Sequence, residues 1–500
     1  MATTLSVLVP AYNEEHLVEA SLARLGVLGE SRWLARVQVI VVDDASTDGT
    51  SEALARFERA RRAEPWAKFE WMFLRHERNR GKGAAIRTAL EHATGELTVI
   101  HDADLEYHPR DVLKMVPLFL EEEADAVFGS RFLAGEYRRV LFFWHSLGNN
   151  FLTFLGGLVS DLNLSDMATC YKMVRTRLLR SIPLESDDFR IDPELTIKLA
   201  KRDARIFEIP ISYSGRTYQE GKKINWRDGV LALLAILRFA VSDRLYKEDA
   251  HGSEMLVRLS RAPRFTRWMA DTVRPYVGQR VLEIGAGIGN LTTNLIPRQA
   301  YWATDINPVY LDELRNLERT RPYLRVMETD LTRAASFPGT EPFDTVVCLN
   351  VVEHVEDDVA ALRNIRSALA PGGRAIILVP QGQWLYGTLD KVLGHYRRYT
   401  AEQLSAAGQQ AGFVLHKMLR FNRAGVPAWW LNGKLLRRTT LGLAQIKLLN
   451  LLVPAFRIVD RFLPLPALSL IAVFENPAAT AAPDAAPRHA ELAQSAKGIF

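Results

Sequence analysis

Cysteine is nearly missing from this chain: there are two in 500 residues, Cys170 and Cys348, one in each half. That argues against a disulfide framework or a cysteine metal cluster and fits a reducing cytosol. Long apolar runs are missing too. No stretch reaches the roughly 20 apolar residues that a membrane-spanning helix needs. The best candidate, "GVLALLAILRFAVSDRLY", is broken by Arg238 and Asp243. The N-terminus "MATTLSVLVPAYNEE" has no basic flank before its apolar run, so it reads as a first strand and not as a signal peptide. No internal repeat is visible. Neither charge dominates, since 63 Lys+Arg against 58 Asp+Glu leave +5. That balance suits an anionic partner such as a phosphate or an acidic membrane, or is ordinary surface charge. It does not demand the basic groove of a nucleic-acid enzyme.

What is present is two successive alternations of strand and helix patterns. A chain of 500 residues is expected to hold two domains. Residues 1–245 carry "LSVLVP", "VQVIVVDD", "FEWMFLRH", "ELTVIHDAD", "DAVFGS" and "RIFEIPIS". Continuous Val/Ile runs of this kind suit parallel strands buried on both faces. The polar "YKEDAHGSE" opens a linker, 246–262. Residues 263–475 repeat the alternation with "RVLEIG", "AYWATD", "FDTVVCLN" and "RAIILVP", and end in an amphipathic extension. The Ala/Pro-biased segment 476–500 reads as a disordered tail. The expected fold class is α/β, with two doubly wound domains.

The sharpest local feature is "VIHDADLEYHP". Asp102 and Asp104 follow a buried strand and share one side of extended chain. Two carboxylates there repel unless something positive lies between them. A hard cation, Mg²⁺ or Mn²⁺, takes such oxygens and can hold a diphosphate, with Glu106 as a third ligand. The plain alternative is an acidic surface turn. "VPAYNEE" and "VVDDASTDGT" add two further polar strand ends, and ligands bind at the carboxyl ends of strands in open α/β sheets.

These stretches, with "NRGKGAAIRTAL", "GSRF", "SDMATCYK" and "GRTYQEGKKI", resemble the family-2 glycosyltransferases, in particular the polyprenyl-phosphate sugar transferases. The resemblance covers residues 4 to about 245 in order and implies a GT-A nucleotide-sugar-binding fold. It also implies a UDP- or GDP-linked donor and inversion at the anomeric carbon by single displacement. By matching position, Pro10, Tyr12, Glu14 and Asp44 would line the nucleotide pocket. Asp102 and Asp104 would hold the metal. Arg216, Lys222 and Lys82 would meet donor phosphates. Arg131, with Arg138 or Arg139, would meet the acceptor phosphate. Glu106 stands where close relatives often carry Gln, which leaves its role open. Asp166 has three readings: base for a hydroxyl acceptor, acceptor-positioning group, or helix N-cap. The stretches "VLFFWHSLGNNFLTFLGGLV" and "GVLALLAILRF" suit an interface helix against a polyprenyl acceptor, or core packing.

In the second half, "VLEIGAGIGN" spaces its glycines at 285, 287 and 289, which is not the dinucleotide fingerprint. With "ATDINP", "ETDL", "FDTVVCLNVVEHVEDD" and "LAPGGRAIILVP" it resembles the class I S-adenosylmethionine-dependent methyltransferases over about 278–420, and implies their Rossmann-like fold. The resemblance places Glu283, Gly285, Gly287 and Gly289 around the methionine and ribose end. Asp305 would bind the ribose, Asp330 the adenine amine, and Asn350 would line the pocket. His354 and His395 are candidate bases or structural histidines. "VPAWWLNGKLLRR" suits an interface helix, an acceptor lid or core packing.

The combined expectation is a bifunctional enzyme. One half transfers a hexose-type sugar to a polyprenyl phosphate. The other transfers a methyl group to an acceptor left open, the glycan or glycolipid among them. The alternative is transfer to a polysaccharide or other hydroxyl, with the second domain a cofactor-binding or scaffold module. The expected partner is a lipid phosphate at a membrane surface, with no nucleic acid and no transmembrane span. The expected location is cytoplasmic, peripheral on the inner face of the membrane. Homo-oligomerisation stays open.

Overall fold

The computed structural model describes residues 2–133, 143–215, 226–242, 244, 245, 247, 260–339, 341–439 and 442–477. The chain divides into two compact units, Met1–Arg258 and Leu259–Phe500. Most of the expected linker, 246–262, and all but two residues of the expected tail, 476–500, lie outside the described residues.

The first unit is built on a seven-stranded sheet in the order β3-β2-β1-β4-β6-β5-β7. Its strands are β1 (Thr3–Ala11), β2 (Leu34–Asp43), β3 (Phe69–Arg75), β4 (Leu97–Ile100), β5 (Ala126–Ser130), β6 (Lys172–Arg175) and β7 (Ile206–Pro210). β1 to β4 run parallel, and the Val/Leu/Ile runs of β1, β2 and β4 are buried on both faces. The helix Lys82–His92 packs on β1 and β2 through Ala85, Ile86 and Ala89, small enough to bring it close. The chain winds outward from β1 to β2 and β3 on one side and to β4 on the other. Strand order therefore reverses between β1 and β4, which is where such sheets open a crevice.

β6 is the strand the sequence pattern does not announce. It is four residues long and opens with Lys172. It runs antiparallel between β4 and β5. Lys172 can be buried there because its ammonium donates to the Met167 and Thr169 carbonyls and to Asp192, at 2.9, 2.7 and 2.9 Å.

The second unit has a seven-stranded sheet in the order β10-β9-β8-β11-β12-β14-β13. The strands are β8 (Arg280–Ile284), β9 (Ala300–Asp305), β10 (Leu324–Glu328), β11 (Phe343–Leu349), β12 (Leu369–Pro380), β13 (Val414–Phe421) and β14 (Ser469–Glu475). β8 to β12 are parallel, and β14 is antiparallel to both its neighbours. The amphipathic extension expected at the end of this domain is in part a core strand. Leu470–Phe474 are fully buried in the sheet, as an uninterrupted β-rich run should be. Here the reversal falls between β8 and β11. Both units are thus doubly wound α/β sheets with an antiparallel strand near one edge.

Candidate active sites

At the first crevice, β1 ends in Pro10 and Ala11, paired in register with Val42 and Asp43 at the end of β2, and Tyr12 follows. Tyr12 is half exposed, and Glu14 is buried with its backbone N–H donating to Thr50 Oγ1 at 2.8 Å. Asp44 lies just beyond β2, but its carboxylate is engaged by protein. It accepts from the Arg80 and Gly81 backbone N–H groups at 2.8 and 2.7 Å and lies 2.7 Å from His76 Nδ1. Asp44 thereby shapes the turn that leads into Lys82. Gly81 sits in that turn at φ +92°, and a Cβ there would collide with the Asp187 carbonyl.

Lys82 begins its helix and points its ammonium at Asp102, 2.8 Å from Oδ1 and 3.0 Å from Oδ2. Burial disfavours the Asp102 carboxylate, but the Lys82 charge outweighs it and holds Asp102 below the usual range. Asp104 is buried, and its Oδ1 accepts from the Glu106 N–H at 3.0 Å. Glu106 accepts from the Tyr213 hydroxyl at 3.0 Å. Among the described residues, Asp102, Asp104 and Glu106 do not bring three oxygens within 4.8 Å of one another. The positive charge beside Asp102 is supplied by Lys82.

Sequence reading missed what fixes this turn. Ser21 Oγ donates to the Asp104 carbonyl at 2.8 Å and lies 3.1 Å from His101 Nε2. His101 Nδ1 lies 2.9 Å from the Tyr171 hydroxyl. Burial pulls His101 down to about 4, so it is neutral near pH 7 and works as a strut. No signal short of the packed structure links three such residues.

Arg131 follows β5, and its side chain and backbone grip Asp166, which is fully buried. Asp166 is not a helix N-cap. Both of its oxygens serve Arg131, which favours the positioning role over that of base. The Arg131 guanidinium also lies 5.2 Å from the Tyr213 ring centre. Glu106, Tyr213, Arg131 and Asp166 thus form one connected wall. Arg138, Arg139, Arg216 and Lys222 lie outside the described residues.

The helices Phe143–Ser160 and Trp226–Val241 pack together. One side buries Ala235, Ile236 and Phe239 against Met167 and Ile197. The other exposes Phe143, Trp144, Phe151, Phe154, Leu234 and Leu237. Core packing and an apolar outer face therefore coexist on different sides. No helix of the described residues is long and apolar enough to cross a membrane.

In the second unit, Gly285, Gly287 and Gly289 all have positive φ, at +72°, +57° and +83°, which disfavours any other residue there. A Cβ on Gly285 would also collide with Val351. The loop is tied to the end of β9, because the Gly287 N–H donates to Asp305 Oδ2 at 2.9 Å. Glu283 is turned inward and braces the loop. It accepts from Thr292 Oγ1 at 2.6 Å and Tyr301 OH at 2.8 Å, and burial pushes it up to about 7. Asp330 accepts from the Thr332 N–H and hydroxyl at 2.8 and 2.7 Å. Burial raises its pKa, but these bonds leave it below the usual range. Asn350 lies just beyond β11 at φ +57° and is exposed. The loop, Asp305 and Asn350 thus come to one reversal point. The His354 and His395 rings lie edge to face at 4.8 Å, next to the buried Glu353, which sequence reading passed over.

Residues 6–182 match the model for glycosyl transferase family 2, and residues 282–375 match one for a methyltransferase domain. An uncharacterized protein of Methanocaldococcus jannaschii is 29% identical over 46% of this chain and 90% of its own length. A dolichol-phosphate mannosyltransferase of Pyrococcus furiosus is 24% identical over 43% of this chain and 58% of its own. A dodecaprenyl-phosphate galacturonate synthase of Rhizobium johnstonii is 26% identical over 44% of this chain and 61% of its own. Each of the three matches covers less than half of this chain.

Proposed function

From a chain that joins a family-2 glycosyltransferase domain to a methyltransferase domain, we propose a bifunctional enzyme peripheral to the inner face of the cytoplasmic membrane. The first domain transfers a hexose-type sugar from a UDP- or GDP-linked donor to a polyprenyl phosphate. The second transfers a methyl group from S-adenosylmethionine to an acceptor left open, with the glycan or glycolipid as candidates. The domain limits are those of the sequence reading, 1–245 and 263–475.

One observation carries the choice of sugar acceptor. Asp166, the candidate base, is occupied by Arg131. A hydroxyl acceptor needs a base; a lipid phosphate oxygen is already anionic near neutral pH. The apolar outer face of the helices Phe143–Ser160 and Trp226–Val241 supports a polyprenyl chain at a membrane surface. Two relatives named for dolichol phosphate and dodecaprenyl phosphate support the same class.

The chain's own groups divide the work. Pro10, Tyr12, Glu14 and Asp44 flank the nucleotide, Asp44 through the turn it shapes. Asp102 and Asp104 are the oxygen donors for Mg²⁺ or Mn²⁺ in this reading, whereas Glu106, engaged by Tyr213, is not gathered with them into a three-oxygen set. Such an ion supplies charge against the diphosphate. Lys82, Arg216 and Lys222 add positive charge there. Arg131, held by Asp166, presents the acceptor phosphate. Its oxygen bonds to the anomeric carbon as the bond to the nucleoside diphosphate breaks. The acceptor oxygen attacks opposite the leaving group, which departs with the electron pair, so the anomeric configuration inverts.

In the second domain the cradle at Gly285, Gly287 and Gly289 admits close approach of S-adenosylmethionine, Asp305 is tied to that loop, and Asp330 and Asn350 would meet the adenine and line the pocket. The cofactor supplies an electrophilic methyl group, and the protein's part is alignment.

The test is transfer of radioactive sugar to a short polyprenyl phosphate, with UDP- and GDP-donors, with and without Mn²⁺. Label in the organic phase supports the reading. Label found only on aqueous polysaccharide overturns it.

A further inference from the structure

We propose that the second unit holds a divalent transition-metal ion on Glu353, His354 and His395, beside the glycine cradle. Glu353 lies in the single turn Val352–His354 that follows β11. It is fully buried, and neither carboxylate oxygen has a hydrogen-bond partner. Its two oxygens are thus buried polar atoms left unsatisfied, and a bound cation would satisfy them. Its oxygen, a His354 ring nitrogen and a His395 ring nitrogen all lie within 4.8 Å of one another. Ligand atoms about 2.1 Å from one metal stand roughly 3 to 4 Å apart. Glu353 Oε1 and His395 Nε2 are 4.0 Å apart, so closure on an ion needs only small shifts.

The orientation of His395 points the same way. His395 Nδ1 lies 2.9 Å from Asp390 Oδ1. Asp390 is buried, and it accepts from Arg398 Nε at 2.8 Å and from the Gly387 N–H at 3.0 Å. Beside the Arg398 charge, Asp390 is an acceptor only, so Nδ1 is the donor in this contact. The other ring nitrogen, Nε2, is the one that faces Glu353. A carboxylate behind the imidazole is the usual support of a metal-ligating histidine. The Tyr396 N–H donates to the Glu353 carbonyl at 2.8 Å, and Tyr386 OH to the His395 carbonyl at 2.7 Å. The two ligand-bearing loops are thereby tied together.

Two imidazoles and one carboxylate favour Mn²⁺, Fe²⁺ or Zn²⁺ over Mg²⁺ or Ca²⁺, and three protein ligands leave positions open. Val351, two residues before Glu353, touches Gly285 of the cradle. An open position there would take a hydroxyl oxygen of the methyl acceptor. That last step rests on the methyltransferase reading; metal binding itself does not.

The test is Co²⁺ titration of the full chain carrying Asp104→Ala, so that the metal proposed for the first unit does not contribute. Bound Co²⁺ is read by its visible d–d absorption, S-adenosylmethionine binding by calorimetry, and folding by circular dichroism. We expect one saturable equivalent per chain. We expect at least tenfold weaker binding in His395→Ala and His354→Ala, and about 10- to 100-fold weaker in Asp390→Asn. Glu353→Gln, a neutral isostere, gives the same loss of Co²⁺ binding if a histidine variant fails to fold. A folded chain with no saturable signal, or unchanged affinity in these variants, overturns the site. S-adenosylmethionine binding without Co²⁺ binding rejects the metal and keeps the methyltransferase. Co²⁺ binding without S-adenosylmethionine binding does the reverse.

Discussion

Arg131 holds Asp166 in a two-pronged grip, Nε to Oδ2 at 2.7 Å and Nη2 to Oδ1 at 2.8 Å, and its backbone N–H adds a third bond at 3.0 Å. The carboxylate is fully buried, and the guanidinium side chain is 10% exposed. A bidentate pair in this setting fixes direction as well as charge. Arg131 is therefore a pre-aimed cation, and Asp166 is what aims it.

Asp166→Asn is expected to lower sugar transfer by about 100-fold while the pH profile of the remaining activity keeps its shape. A lost basic limb in that profile would return Asp166 to the role of base. Breaking such a pair costs about 3–5 kcal/mol, so a fall in the first unit's melting transition should accompany it.

Asp104→Ala is expected to abolish sugar transfer and to leave S-adenosylmethionine binding intact, because the two sites stand on separate sheets. Undiminished transfer would remove Asp104 from the donor site.

Gly287→Arg is expected to block S-adenosylmethionine binding and spare sugar transfer. Position 287 requires φ of +57°, and the new side chain would fill the cradle. Calorimetry showing normal cofactor affinity would refute the second pocket.

Glu283 makes stability depend on pH. Burial raises it from 4.5 to about 7, so the folded unit keeps a proton that the unfolded chain releases. Its contribution is complete below pH 4.5 and is lost as pH rises to about 7, by at most about 3 kcal/mol. Denaturant melts of the second unit between those limits should show this slope, and Glu283→Gln should reduce it. An unchanged slope would mean Glu283 does not carry the proton.

Trp144 and Phe154, exposed on one helix, should anchor the first unit to membranes. Trp144→Asp with Phe154→Asp is expected to reduce sedimentation with anionic vesicles severalfold. Transfer to a short, water-soluble polyprenyl phosphate should persist. Unaltered sedimentation would place the membrane contact elsewhere.

The amino-acid sequence by itself determined the two doubly wound sheets. Runs such as "VQVIVVDD" and "RVLEIG" suit strands buried on both faces of a sheet covered by helices. It also determined where chemistry collects, since polar groups at the ends of β1, β4, β8 and β11 meet wherever strand order reverses. The glycines at 285, 287 and 289 announced their own backbone.

The tertiary structure alone decided the partners. Lys172 gives β6 no strand pattern, because its burial depends on Asp192, 20 residues on, and on the carbonyls of Met167 and Thr169 in the loop just before it. Asp44 and Glu283 are acids at the expected positions, yet one shapes a turn and the other braces a loop. Ser21, His101 and Tyr171 are separated by 80 and 70 residues, and only packing makes them a single strut. Glu353 and His395 are likewise distant in sequence. Periodicity and motif record which residues face inward; which buried polar group each one meets is set by closure of the sheets.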